Sequence, residues 1–306
     1  MAEGPLSAYA PGSVSNVGPG FDCLGIAVQG CGDRVRVRRG DRPGVSVRRV
    51  SDPRVPVDAR HNTAALAVAE LLRRAGLETG LELEVEKGLP LAGGLGGSAA
   101  SAVAAVVAAQ ALLETRFTAL ELGAIALEAE AAVAGRHADN LAPSLLGGAV
   151  LVRSVEPLSV ARVRIAPGMA LVLATPDYGV ETRRARELLP AQVSRADAVA
   201  QAAHLGTLLL GLERGDAELI RGALVDHIAE PARAQLFPGY AEARSAGLEA
   251  GALGVVVSGA GPTVVALANE SEATGVAAAL EDGYRRAGHG ARARVTAADD
   301  RGARVE

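Results

Sequence analysis

Four glycines, Gly93, Gly94, Gly96 and Gly97, stand directly before Ser98 in the segment LPLAGGLGGSAASAVAAVV (89–107). The residues after the serine are small or aliphatic and read as a helix. The residues before it read as a turn aimed at the helix N-terminus. Main-chain N–H groups at that end have no partner within the helix and carry the positive end of its dipole. A glycine-rich approach therefore lets an anion, phosphate above all, come close to the main chain. Ser98 adds a hydroxyl that can cap the helix or reach a metal ion on the phosphates. The GK[ST] ending of a P-loop is absent. On its own the segment is equally a flexible turn with a serine cap.

A second chemistry competes for the same serine. Gly96, Gly97 and Ser98 match the opening of the nucleophile elbow G-x-S-x-G, but Ala100 occupies the second glycine position. A hydrolase would also need a downstream acid and histidine. His204, His227 and His289 are available, in no recognisable context.

Two further segments put Gly, Pro, Ser and Asn between apolar strands: YAPGSVSNVGPGFDCLGIAV (9–28) and VVVSGAGPTVVAL (255–267). In the first, Asn16 and Asp22 flank a Gly-Pro-Gly turn and would form turns in any case. Arg186 shares a helical stretch with Arg183 and Arg184, which by itself reads as a solvated face. His137 reads as a surface turn residue, and Glu130 as a solvated carboxylate near a helix end.

The elements that must position these residues follow from periodicity. Residues 1–50 alternate short strands with turns (LSAYAP, LGIAVQ, DRVRVRR, GVSVRRV). DRVRVRR alternates valine and arginine, so one face is buried and the arginines meet water. Residues 62–75 have helical spacing, with Gly76 at the C-cap. LELEVEK (81–87) is a strand with one wet face. Helices are expected at about 98–114 and 118–134, the second opened by the capping box Thr118/Glu121. After GGAVLV (147–152) come strands near 160–166 and 169–175 and helices near 181–189, 194–213, 215–224 and 240–250. A strand–turn–strand, a helix near 271–287 and the strand ARARVTA complete the pattern. A boundary near residue 153 divides the chain into domains 1–153 and 154–306.

Bulk properties exclude several classes. The 306 residues are 49% hydrophobic and 22% charged, as in globular domains, and 31 basic against 35 acidic residues give a net charge of −4. That balance provides no field for nucleic acid or an anionic membrane. Cys23 and Cys31 form no CxxC pair and no zinc cluster, which suits a reduced, cytoplasmic setting. The N-terminal residues lack the features of a signal peptide. Gly88–Leu113 carries no charge, yet its glycines and prolines argue against a membrane span.

Taken together, the three glycine-containing segments resemble the signature segments of the GHMP small-molecule kinases, from about residue 7 to residue 268. SNVGPGFDCLG (15–25), GRHADNLAPSLLGG (135–148), TRRARELLP (182–190) and DHIAEPARAQLFPGY (226–240) resemble the branch of that family acting on L-homoserine. One departure stands out: the family writes its phosphate loop G-L-G-S-S, and here Gly97 replaces the first serine.

The resemblance implies an α+β, two-domain fold: an N-terminal domain with a left-handed β-α-β unit, a ferredoxin-like C-terminal domain, and the active site between them. It implies transfer of the ATP γ-phosphoryl group to L-homoserine on the route to threonine, with Mg²⁺. Pro90, Gly93, Gly94, Leu95, Gly96, Gly97, Ser98 and Ala99 would bind the nucleotide phosphates, and Asn62 and Lys87 the adenosine. Ser98 and Glu130 would hold the metal. Arg186 and Arg233 would bind the substrate carboxylate, and Asn16, Asp22, His137 and Asn140 its amino group and hydroxyl. Asp139 matches a catalytic aspartate of other members, but whether any base operates is open. Asn140 and Asp22 would then orient the hydroxyl. A homodimer is common in the family. A kinase of the same family acting on a sugar, mevalonate or another amino acid, and a nucleotide-binding regulatory module, are the alternatives.

Overall fold

The computed structural model describes residues 4–133 and 135–306; Met1–Glu3 and Ala134, the last residue expected for the second helix, lie outside the described residues. Two sheets organise the chain. The first begins with β1 (Leu6–Asn16), β2 (Gly20–Gly40) and β3 (Gly44–Val50). The two strands expected within 20–40 are one, running on through Gly30–Gly32. α1 (Thr63–Ala75) crosses to β4 (Gly80–Glu86), which lies parallel to β3, forming the β-α-β unit. Arg34, Arg36 and Arg38 stand opposite Glu86, Glu84 and Glu82 on β4, while Val35 and Val37 are buried. The alternating basic run is thus the wet face of a sheet answered by glutamates.

α2 (Gly97–Leu113) packs on β1, β2, α1 and α3 (Ala119–Val133), and its alanines let these neighbours come close all round. Buried along most of its length, with Val107, Gln110, Ala111 and Leu113 half-buried towards its C-terminal end, it has no charged face to present. Among the described residues no helix is long and apolar enough to cross a membrane. α4 (Leu141–Leu146), unexpected from the periodicity because of its single turn and a half, leads to the hairpin β5 (Ala149–Val155) and β6 (Leu158–Val163). β5 pairs with β2, so the first sheet continues to Val163 and the expected division near 153 falls inside β5.

The second sheet starts at β7 (Met169–Pro176). It is followed by α5 (Thr182–Glu187), α6 (Arg195–Arg214), α7 (Ala217–Ala223), α8 (Ala229–Arg233) and α9 (Tyr240–Glu249). Next come β8 (Gly254–Val257), β9 (Val264–Asn269), α10 (Ala273–Arg286) and β10 (Ala291–Thr296). The order β10-β7-β9-β8, all antiparallel, is the 4-1-3-2 arrangement of a ferredoxin-like β-α-β-β-α-β unit. Val172, Ala174, Val255 and Ala266 face α9 and α10, whereas Leu171, Leu173, Val256 and Leu267 join the core of the first sheet. The two halves therefore share the apolar core between the sheets, and a second apolar cluster lies on the other face of the second sheet. β11 (Arg304–Val305) returns to β1.

Candidate active site

The three glycine-containing loops converge. Four successive carbonyls of the middle loop are taken up by the scaffold. Ser13 N–H donates to Leu95 O (3.1 Å), Val180 N–H to Ala92 O (3.2 Å), Thr263 N–H to Gly93 O (3.3 Å) and the Ser258 hydroxyl to Gly94 O (2.6 Å). By contrast, among the described residues no acceptor takes the N–H groups of residues 93 to 99. These residues line a concave cleft of about 220 Å³, open to solvent at its mouth. The loop thus turns its acceptors into the protein and its donors to the cleft, the polarity an anion needs.

Gly94 (φ +76°) and Gly96 (φ +65°) have left-handed backbones. A Cβ on Gly96 would lie 2.5 Å from Ser13 Oγ and 2.6 Å from Asn140 Oδ1, so this glycine is required by packing against the first loop and the 140 turn. Gly96 is the N-cap of α2 and makes no side-chain cap; Ser98 lies in the first turn, so the expectation that its hydroxyl caps the helix is corrected.

Of the residues named from the sequence, Asn16, Asp22, Pro90, Gly93 to Ala99, Glu130, His137, Asp139, Asn140, Arg186 and Arg233 line this one cleft. Asn62 and Lys87 do not. Asn62 caps α1, its Oδ1 accepting from Ala65 N (3.2 Å) and its Nδ2 donating to Pro56 O (2.8 Å). Lys87 pairs with the buried Asp33 beneath the loop and donates to Gly97 O (2.7 Å) and Ser101 Oγ (2.9 Å). Both side chains serve the scaffold. His204 and His227 pair with each other and His289 packs on Tyr178, so none of the three lines the cleft with Ser98; His137, which does, has its ring nitrogens engaged by Arg186 Nε and Gly135 O and is not free to act as a base on Ser98.

The charged groups are interlocked. Asp22 accepts both arms of the Arg186 guanidinium (2.9 and 2.6 Å). Arg186 Nε donates to His137 Nε2 (3.1 Å), while His137 Nδ1 faces Gly135 O (2.7 Å). One ring nitrogen meets a donor and the other an acceptor, which fixes a neutral imidazole with its proton on Nδ1. Burial and the Arg186 charge push its pKa down, in agreement, against the opposing pull of Asp139. Asn16 accepts from Asp22 N (3.1 Å) and donates to Gly259 O (2.9 Å), tying the first loop to the third. The Asn140 amide bonds Ser13 Oγ and Ser15 Oγ (both 2.9 Å), so both its ends are engaged.

Arg233 differs. It is 3% exposed, and its bonds are to two main-chain carbonyls, Ala185 O (2.8 Å) and Gly259 O (3.4 Å). Among the described residues no carboxylate lies within ion-pair distance. Burial, then the neighbouring Arg186 charge, hold its pKa below the usual arginine value. Both guanidiniums lie over the Phe21 ring, at 5.8 Å (Arg186) and 5.3 Å (Arg233).

Two buried carboxylate oxygens, Glu130 Oε1 and Asp139 Oδ1, have no hydrogen-bond partner among the described residues. Burial raises the Glu130 pKa to about 7, with the Ser98 hydroxyl and Lys87 pulling the other way. Burial likewise raises Asp139. No group of three or more His, Cys, Asp or Glu suited to a metal occurs among the described residues. A cation here would take Glu130, Ser98 and oxygens brought by a ligand, the habit of Mg²⁺ rather than of zinc. Phe21, Ser15 and Thr182 also line the cleft without having been singled out. Adjacency to Asp22 and to the first loop was the available signal for Phe21 and Ser15.

The chain is similar to known proteins over nearly its whole length. Residues 62–148 match the GHMP kinases N terminal domain and residues 208–286 the GHMP kinases C terminal family. The chain is 43% identical over 303 residues to a homoserine kinase of Xylella fastidiosa (97% of this chain, 93% of the relative). It is 40% identical to one of a Nostoc species (97% and 98%). The crystal structure of homoserine kinase from Cytophaga hutchinsonii superposes with a TM-score of 0.95 at 39% identity, covering 100% of this chain and 98% of the other.

Proposed function

The chain belongs to the GHMP kinases, within them to the homoserine kinases, and from this premise we propose that it transfers the γ-phosphoryl group of ATP to the side-chain hydroxyl of L-homoserine. The product is O-phospho-L-homoserine, a step of threonine biosynthesis. The observation that carries the amino-acid reading is Arg233: a buried guanidinium with no carboxylate partner calls for an anion from outside. A zwitterion also supplies an ammonium, which Asp22 can take while Arg186 shares the incoming carboxylate. A sugar has no charge to satisfy either group.

Phosphoryl transfer rests on alignment and on cancelling charge. The free N–H groups of residues 93 to 99 bind the phosphates, and the Asn16 and Asn140 bonds hold the three loops in register around them. Mg²⁺ held by Glu130 and Ser98, when bound, supplies charge neutralisation at the phosphate oxygens. The orphaned Glu130 oxygen supports that assignment. Asp139, with its unpartnered oxygen and raised pKa, offers an acceptor for the hydroxyl proton, and a loose transition state lets that proton leave late. Asn62 and Lys87 have scaffold partners, and no adenosine contact is assigned to them. Cys23 and Cys31 are free thiols, which supports a reducing, cytoplasmic location.

ADP release with L-homoserine, mevalonate and galactose offered in parallel tests the reading. Turnover confined to homoserine is expected; turnover with mevalonate or galactose and none with homoserine would overturn it.

A further inference from the structure

We propose that Gln201, outside the cleft, is a positioning residue for the amino-acid substrate, setting the distance between Arg233 and the Phe21–Asp22 turn. The inference rests on the homoserine reading above and adds a residue that does not itself touch the cleft.

Gln201 lies on α6 and is 8% exposed. Its amide uses both N–H groups, one to Pro19 O (3.0 Å) and one to Asp226 Oδ1 (3.1 Å), and its oxygen accepts from His227 N (2.8 Å). Each partner leads to the site. Pro19 belongs to the Gly-Pro-Gly turn that ends at Phe21 and Asp22. Asp226 accepts from the N–H groups of Ile228 (2.8 Å), Ala229 (3.0 Å) and Glu230 (2.9 Å), and so fixes the start of α8, whose last residue is Arg233. One buried amide therefore joins the turn that presents the Phe21 ring to the helix that presents the guanidinium 5.3 Å from it. No other polar side chain bonds both segments among the described residues. A primary amide suits this task because it donates twice and accepts in one plane, with no charge to bury.

Kinetics of Gln201→Met, which keeps length and apolar bulk but removes all three bonds, test the proposal. KM for L-homoserine should rise about tenfold, the scale of buried hydrogen-bond loss. KM for ATP and kcat should stay within about twofold, because the glycine loop does not depend on these bonds. In an Arg233→Ala background the same substitution should add no further rise in homoserine KM, since Gln201 acts through Arg233; a merely structural role would add there as it does in the native background. Equal shifts in both KM values, or additivity with Arg233→Ala, would overturn the proposal. Should Gln201→Met fail to fold by circular dichroism, Gln201→Leu, apolar and likewise without the three bonds, carries the same comparison. Absence of homoserine turnover in the unsubstituted enzyme would instead refute the underlying reading.

Discussion

Asp22 and Arg186 form a two-armed ion pair at the cleft, joining the first glycine-containing loop to α5 (2.9 and 2.6 Å). Each is about a third exposed, so the pair is open to a solute that brings its own two charges. Its partners are already oriented by Asn16 and His137. A zwitterion entering here exchanges one set of charge-assisted bonds for another, with little uncompensated desolvation.

Arg186→Lys should therefore keep the charge and lose both the fork to Asp22 and the bond to His137. Homoserine KM is expected to rise about tenfold, as for loss of charge-assisted hydrogen bonds worth about 1.5 kcal/mol. Initial rates at saturating ATP measure this, and an unchanged KM would detach Arg186 from substrate binding.

Arg233→Met should separate stability from function. Removing the unpaired buried charge spares its desolvation, so the melting temperature without substrate should hold or rise. The same change removes a carboxylate contact worth about 2 to 5 kcal/mol, raising homoserine KM at least thirtyfold with little effect on that for ATP. A lower melting temperature with equal effects on both substrates would show that Arg233 is a structural residue.

Glu130 makes stability depend on pH. Its folded pKa, raised by burial to about 7, lies above the ordinary 4.5, so the folded state holds that proton more tightly. The resulting destabilisation is absent below about pH 4.5 and grows to about 3 kcal/mol as pH rises through 7. Urea unfolding of Glu130→Gln from pH 4.5 to 8 should lack this part of the decline seen in the unsubstituted protein. Glu130→Ala should also need much higher Mg²⁺ for activity, and an unchanged metal dependence would remove it from the metal site.

Gly96→Val and Ser98→Ala should divide cradle from chemistry. At Gly96 a side chain forces a left-handed backbone on a β-branched residue and drives its Cβ into Ser13 and Asn140. The loop's N–H groups should be displaced and nucleotide binding lost. The clash is with the neighbouring loops rather than with the phosphate space itself. Ser98→Ala leaves the N–H groups intact, so titration calorimetry should find an ATP analogue bound near native affinity while turnover falls. Native affinity in a folded Gly96→Val protein would mean that the loop is only a turn.

Much of the architecture was legible because it obeys local rules. Alternating Arg/Val and Leu/Glu runs marked two paired strands, helical spacing marked α1, and clustered glycines before a serine marked a helix start able to meet an anion. The three loops suggested one site. Short α4 and α8 escaped notice because one turn carries too little periodicity to stand out. Whether a polar residue serves the cleft or the scaffold was decided only by tertiary structure. Lys87 finds Asp33, Asn140 finds Ser13 and Ser15, and Gln201 finds Pro19 and Asp226, all partners remote in sequence or on other elements. Arg186 and Arg233 look alike as letters, yet one meets a carboxylate and the other only carbonyls. A side chain's chemistry is intrinsic, but its partner and its exposure to water arise when distant segments pack, and these determine which charge is left to hold a substrate.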